Sequence, residues 1–379
     1  MTKSVGIITF HASHNYGSML QAYALQRVIT DIGLNCEIIN LRTVRQKAYY
    51  SVGGFHRGTS KGKIKRRILL TPFYYSLINK YIKFENFLRN DLILTSKEYT
   101  SLTELDNESF KYDYYISGSD QIWNTTCLDF DWAYYLPFVK KGKRIAYAPS
   151  MGPAAGDSVK SEYYDIITHY LNEYDALSVR EDGAAGFIKR QFGLEASVNL
   201  DPTLLLESEK WEEIISKEPL VRGDYIFVYT PFFNAEVFAL ADKLSQKYKM
   251  KIVISQIYND YIWESYKFSF LKSNVVVKTN VGPKEFLNLC KHARITCGGS
   301  FHLVVFSILL HTPFVVLDGL KDNRTLNLLE KLGLKQCSVT NKCNMECMPD
   351  PFKIDFGEVN IRLEALRDKS LLWLKNVLN

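Results

Sequence analysis

Four short polar stretches hold the residue types from which a reaction could be built, and each follows an apolar segment. In Cys297-Gly298-Gly299-Ser300-Phe301-His302 the glycines permit a tight turn, and Ser300 opens an apolar run that continues to Leu310. Backbone N–H groups at such a helix start can hold an anion, and His302 in the first turn is placed to move a proton there. A core histidine is the alternative. In Ser178-Val179-Arg180-Glu181-Asp182, Arg180 offers a planar fork for a carboxylate or phosphate, and fits a salt bridge to Glu181 or Asp182 equally well. The stretch from Ser117 to Asn124 combines Gly118 for close backbone approach, the Asp120 carboxylate and the Trp123 ring face, which suits a sugar. Asp120 as a cap and Trp123 as core are the competing roles. Before a helical pattern stands His11-Ala12-Ser13-His14-Asn15-Tyr16-Gly17-Ser18, where Gly17 and Ser18 would leave free N–H groups unless the turn is an ordinary cap.

These stretches need strands and helices to hold them. Apolar patterning predicts strands at residues 5–10, 36–41, 112–116, 143–147, 176–179 and 198–200, with a helix over 18–32. After a junction at 207–223 the rhythm restarts, with strands at 225–229, 251–255, 275–277, 295–297 and 314–316. Helices are expected at 235–248, 283–292 and 303–310. Alternation of this kind predicts an α/β chain of two Rossmann-like domains, 1–206 and 207–358, with a helix over 359–379 packing back on the body. Ligand crevices lie at the carboxyl ends of parallel strands, so two such sheets would place the active site in the cleft between them.

Composition narrows the function. Of 379 residues, 46% are hydrophobic and 23% charged, the profile of a globular chain. No apolar run reaches the ~18 residues needed to span a bilayer, and the N-terminus reads as a core strand rather than a signal peptide. Seven scattered cysteines give no disulfide framework, so a cytoplasmic location is expected. Cys337, Cys343 and Cys347 lack a zinc-type pairing and have no histidine beyond them, so no metal is expected. The chain has no Walker A loop, no G-x-G-x-x-G after its first strand and no G-x-S-x-G elbow. The net charge of +6 is concentrated: residues 38–84 contain basic side chains and no acidic ones, while the rest of the chain is net acidic. A nucleic-acid partner is therefore not expected.

Taken in order, the motifs resemble the polysaccharide pyruvyl transferase family. The matching stretches are Asn15-Tyr16-Gly17 with Leu20-Gln21-Ala22-Tyr23-Ala24-Leu25, Gly118-Ser119-Asp120-Gln121-Ile122-Trp123-Asn124 and Tyr147-Ala148-Pro149-Ser150-Met151-Gly152. Ser178-Val179-Arg180-Glu181, Leu200-Asp201-Pro202-Thr203, and Ser300-Phe301-His302 with Phe306-Ser307-Ile308 follow. The resemblance implies a glycosyltransferase-B-like fold and transfer of pyruvate from phosphoenolpyruvate, as a co-substrate with no separate cofactor, onto two hydroxyls of a sugar or lipid-diphosphate-linked glycan. Capsule, exopolysaccharide or cell-wall glycan assembly is the setting it implies. It makes His302 the acid, has Arg180 and the helix at Ser300 hold the donor, and has Asp120 contact the acceptor or act as base. Asn15, Tyr16, Gly17, Gly118, Ser119, Gln121, Trp123, Ser150 and Phe301 become substrate-binding positions.

This chain departs from the family pattern in places. Gly299 stands where Asp is frequent, Leu303 where Gly is, and Phe301 where some members carry Arg. A second cation for the donor must come from elsewhere, and Arg324 is a candidate. A nucleotide-sugar glycosyltransferase and a non-catalytic glycan-binding relative remain as rival readings. The insert at 42–84 sets Arg57, Lys61, Lys63, Lys65, Arg66 and Arg67 before Leu70, Phe73, Tyr74, Tyr75, Tyr81 and Phe84. That pattern fits a peripheral contact with the inner membrane surface, or a loop whose apolar residues face the core.

Overall fold

Short strands that are apolar along their whole length are stable only when both sheet faces are covered, which is the condition met in parallel sheets flanked by helices. In the computed structural model, which describes residues 3–52, 70–258, 261, 264, 267–268, 272–340 and 348–379, the strands form two such sheets. The first contains β1 (Ser4–Ile8), β2 (Asn35–Ile38), β3 (Tyr114–Ser117), β4 (Lys143–Ala146), β5 (Ala176–Val179) and β6 (Ser197–Val198), in the order β2-β1-β3-β4-β5-β6. The second contains β7 (Tyr225–Tyr229), β8 (Lys251–Ile254), β9 (Val275–Val277), β10 (Ile295–Gly298), β11 (Phe314–Leu317) and β12 (Ser338–Val339), in the order β12-β11-β10-β7-β8-β9. Every residue of β3, β7, β10 and β11 is buried.

Strand order reverses between β1 and β3 in the first sheet and between β7 and β10 in the second. These two switch points are where the loops after neighbouring strands part and leave a crevice. β1 and β2 stop short of the expected residues 10 and 41. The chain turns tightly there, with His11 N–H donating to the Thr9 carbonyl and Leu41 N–H to that of Ile39.

One core runs through both sheets. It includes Ile116 and Tyr147 of the first domain, Trp211 at the junction, and Phe227, Phe286 and Phe306 of the second. The helix Phe301–Leu309 is buried on every side, with Phe306 edge-on to Trp211 at 5.0 Å. A helix apolar all round has no solvent face and must lie inside. The last helix, Phe356–Leu378, starts earlier than expected because the Asp355 carboxylate accepts the Gly357 and Glu358 N–H groups. It returns to the first domain, where Leu200 N–H donates to Ser370 Oγ and Arg367 Nε donates to the Leu204 carbonyl.

The described parts of the insert are helical rather than loop. It forms helices Val44–Tyr50 and Tyr74–Asp91, and Phe84, Phe87 and Leu88 of the longer helix are core residues. Phe84 is therefore not available to a membrane, whereas Tyr74 and Tyr75 are exposed. Arg57, Lys61, Lys63, Lys65, Arg66 and Arg67 lie outside the described residues, as do Cys343 and Cys347. The insert helix crosses to the second domain through Ser76 with Thr279, Lys83 with Glu285, and Asp91 with Lys284.

Glu85 fastens the same helix to its own sheet, accepting two hydrogen bonds from Arg42 at 2.7 and 3.0 Å and one from His14 at 2.9 Å. Burial raises the Glu85 carboxyl, but these donors outweigh it and hold the group at about 2, while burial lowers His14. A depressed carboxylate stabilises the fold above its unfolded pKa and loses that contribution as pH falls through the folded value. His14, whose folded pKa lies below its unfolded value, works in the same direction. Thermal melts should show the wild type losing stability between about pH 4.5 and 2. Glu85→Gln should be less stable at neutral pH and flatter across that window; equal slopes would remove Glu85 as the fastening.

Candidate functional site

The loops after β1, β3, β5, β6 and β10 converge where the two switch points face each other. After β1, Asn15 caps the helix Tyr16–Asp31, and its Oδ1 accepts the Gly17 and Ser18 N–H groups at 2.9 and 3.4 Å. The N–H groups expected to be free for an anion are thus occupied, because the capping side chain is supplied by the chain itself. The next turn carries Ser18, whose hydroxyl donates to Asp120 Oδ2 at 2.5 Å from the loop after β3. A Cβ on Gly17 would fall 2.0 Å from His302 Nδ1, so the imidazole lies directly on this backbone. His302 thereby joins the second domain's switch point to the first's.

Arg180 follows β5 and is 5% exposed. Its Nε donates to Glu181 Oε1 at 3.0 Å and its Nη1 to Asp201 Oδ2 at 2.6 Å, while Phe301 lies 4.6 Å over the guanidinium. The salt-bridge alternative holds for Glu181; Asp182 pairs instead with Lys331. Arg180 Nη2 is buried and has no hydrogen-bond partner among the described residues. Asp201 Oδ2 also faces His302 Nε2 at 3.6 Å, beyond hydrogen-bond length, and that nitrogen too is buried and unpartnered. Although burial raises it, the neighbouring His302, Arg180 and Thr203 hold the Asp201 carboxyl well below the usual carboxylate range. Burial pushes Glu181 the other way despite Arg180 beside it. The cluster thus pairs a firmly ionised carboxylate with one biased toward its protonated form, and sets a buried histidine against the first.

Several expected site residues have other work. Tyr16 is buried, stacks on Phe286 at 4.6 Å and donates to the Val281 carbonyl, packing the domains together rather than facing a ligand. Gly118 is needed for approach to protein backbone, since a Cβ there would meet the Tyr147 carbonyl oxygen at 2.0 Å. Ser119 is buried and donates to the Ala148 carbonyl. Trp123 is wholly buried, stacked on Tyr135 with centroids 5.1 Å apart, so it is core and offers no sugar platform. Half-buried Gln121 accepts from Asn124 at 3.1 Å. Ser150 Oγ accepts the Gly152 N–H and lies close enough to Glu181 to favour its ionised form. Ser300 caps the Phe301–Leu309 helix by accepting the Leu303 N–H at 3.4 Å. Arg324 comes near Glu181, but its fork is closed on Asp322. Sequence alone gives Glu181 only the role of salt-bridge partner and singles out no function for Asp201. The signal for Asp201 was its place after a strand, ahead of Pro202 and Thr203.

Beside the loop after β1 opens a cavity of about 230 Å³, lined by Ala12, Arg42, Gln46, Tyr50, Tyr81 and Glu98 among others. Gln46 Oε1 is buried with no hydrogen-bond partner among the described residues.

The polysaccharide pyruvyl transferase family model matches residues 15–319, a span that includes Asp120, Arg180, Glu181, Asp201 and His302. The chain belongs to that family. No curated protein matches it in sequence. Among solved structures it is similar to S. aureus MnaA in complex with UDP, at 12% identity and a TM-score of 0.53, covering 96% of this chain and 91% of that one. It is also similar to the Methanocaldococcus jannaschii UDP-GlcNAc 2-epimerase in complex with UDP-GlcNAc and UDP, at 14% identity and a TM-score of 0.46, covering 100% and 99%. For E. coli heptosyltransferase WaaC with ADP-2-deoxy-2-fluoro heptose the values are 11% and 0.42, covering 96% and 99%. The fold of this family member is a two-domain, glycosyltransferase-B-like α/β fold.

Gly17→Ala drives a methyl group into the His302 ring. Overpacking of this kind costs about 1–3 kcal/mol in denaturant unfolding. In a His302→Ala background the same substitution should cost much less, because the ring it strikes is gone. Equal costs in both backgrounds would mean that the ring and the glycine are not in contact.

Proposed function

We propose that this family member transfers pyruvate from phosphoenolpyruvate to two hydroxyls of a sugar, forming a cyclic ketal in the assembly of a capsule, exopolysaccharide or cell-wall glycan. The observation that carries the reading is a pair of buried nitrogens without hydrogen-bond partners among the described residues, Arg180 Nη2 and His302 Nε2, on the two side chains that flank one carboxylate oxygen of Asp201. Such groups are costly to leave unsatisfied, and they cluster where a ligand completes them.

In this mechanism His302 delivers a proton to the methylene carbon of the enol, and C2 becomes cation-like. Asp201 faces the positive ring that His302 has while it holds that proton. One sugar hydroxyl adds to C2, the C2–O bond to phosphate breaks, and the second hydroxyl closes the ketal. Each hydroxyl gives up its proton, one of which leaves with the phosphate. Asp120, held by Ser18, takes a hydroxyl proton, and Arg180 Nη2 together with the N–H groups at the start of the Phe301–Leu309 helix holds the donor's anionic groups. The cavity beside Gln46 and Tyr81 suits the acceptor sugar, since it combines aromatic rings with an unsatisfied amide oxygen. The exposed Tyr74 and Tyr75 next to the basic insert suit a peripheral contact with an anionic membrane, where a lipid-linked acceptor would lie.

Incubation with phosphoenolpyruvate and a panel of acceptor glycans tests the reaction. Phosphate release with a mass gain of one pyruvyl group is expected; release of nucleotide from a nucleotide sugar instead would assign a glycosyltransferase. His302→Ala should lower the rate by ~10²–10⁴-fold with the fold intact by circular dichroism. A rate equal to wild type would take His302 out of the mechanism. For the membrane contact, co-sedimentation with anionic vesicles at low salt should be lost at high salt. Protein left in the supernatant under both conditions refutes the contact.

A further inference from the structure

The cluster built around Arg180 is poor in positive charge for a donor that carries both a phosphate and a carboxylate. Arg180 and Arg324 face Asp120, Glu181, Asp201 and Asp322. With Glu181 protonated, three carboxylates face two guanidiniums, and a proton on His302 only evens the count, leaving no surplus positive charge for the donor. Arg324 is committed to Asp322, and Phe301, which lies against the Arg180 guanidinium, brings no charge. Binding a small polyanion here needs another cation whose charge is not already matched.

The insert helix Tyr74–Asp91 supplies one. Residues 76, 80 and 83 lie at helical spacing on one face. Ser76 meets Thr279 and Lys83 meets Glu285, so that face is turned toward the second domain. Lys80 lies between them, half-buried, its ammonium 5.1 Å over the Tyr16 ring and 5.9 Å from that of Phe84. Among the described residues it has no carboxylate partner. Tyr16 is one residue from Gly17, on which His302 sits. Resting on the proposed function, we infer that Lys80 is a phosphate-binding residue at the domain boundary, a cation brought there by the insert helix and left unmatched by any carboxylate among the described residues.

The surroundings give this role a pH signature. Burial lowers the Lys80 ammonium to about 8. The groups facing it are Tyr16, Phe84 and His14, the last tied to Glu85 and Arg42; one turn along, Lys83 and Glu285 neutralise each other. None places a carboxylate against the ammonium, so the charge of free Lys80 falls as pH rises through about 8. A phosphate stays anionic over that range, and the affinity owed to Lys80 must weaken with it.

The phosphate could be the donor's or that of a diphosphate-linked acceptor, and calorimetry with phosphoenolpyruvate and with inorganic pyrophosphate separates the two. Lys80→Met should bind one or both ~10–100-fold more weakly than wild type, with an unchanged melt in the absence of ligand. Lys80→Arg should restore binding and remove the decline above pH 8, because a guanidinium stays charged there. Loss confined to phosphoenolpyruvate places Lys80 on the donor, and loss confined to pyrophosphate places it on the acceptor carrier. A wild type that binds pyrophosphate through Lys80 but not phosphoenolpyruvate supports this inference while overturning pyruvyl transfer. Equal affinities of wild type and Lys80→Met for both anions, or no binding of either by wild type, overturns the phosphate site.

Discussion

Asp201 is a carboxylate without access to water, and the arrangement of the cleft follows from how its charge is met. Burying an ion is tolerated only with an opposite charge and hydrogen bonds close at hand. Thr203 satisfies one oxygen through its N–H and hydroxyl. The other oxygen takes Arg180 Nη1 and faces His302. Arg180 and Asp201 come from the first domain and His302 from the second, so one carboxylate oxygen addresses both halves of the molecule. The residual donors, Arg180 Nη2 and His302 Nε2, are what remains once Asp201 and Glu181 have been served. The donors of the proposed site are thus the unsatisfied remainder of a buried ion-pair network rather than a set of independently placed side chains.

That network demands a fixed docking of the two sheets. The apolar part of the docking is aromatic, with Tyr16 against Phe286 and Tyr229, and Trp211 against Phe306. Its polar part is carried largely by the insert helix, whose pairs to Thr279, Glu285 and Lys284 each cross the domain boundary. Solvent-screened pairs contribute little to stability individually. Their consequence here is positional, because they set the angle at which the face bearing Lys80 approaches Tyr16 and the loop after β1.

Strand ends were readable because chemistry in an α/β fold is tied to chain order: a polar, glycine-bearing stretch after an apolar run must fall at a sheet's carboxyl edge. That rule places His302, Arg180 and Asp120 at strand ends, where the structure has them, and it does not tell which side chains turn inward. Trp123 and Tyr16 belong to packing because each finds a stacking partner that local periodicity does not reveal, Tyr135 at the end of a short helical turn and Phe286 in the other domain. Asn15 reads as a polar cluster residue, yet capping its own helix is the local solution that needs no ligand. The insert helix was hidden by its composition. Lysines and tyrosines at mixed spacing look like a solvated or membrane-facing segment until Phe84, Phe87 and Leu88 are seen against the first helix and its neighbours.

Phe301 connects these observations. An arginine before His302 would add charge from the second domain, on the same helix as the proposed acid. Phenylalanine there instead lies over the Arg180 guanidinium at 4.6 Å, a cation–π contact that shields the buried ion network from water. A cation from another element would offset the deficit this leaves, and the insert helix belongs to the first domain in sequence while its pairs reach the second. A site built so depends on the docked arrangement of the two domains: the same docking that sets His302 on Gly17 also holds Lys83 against Glu285, so the proposed acid and the cationic face of the insert helix are positioned together.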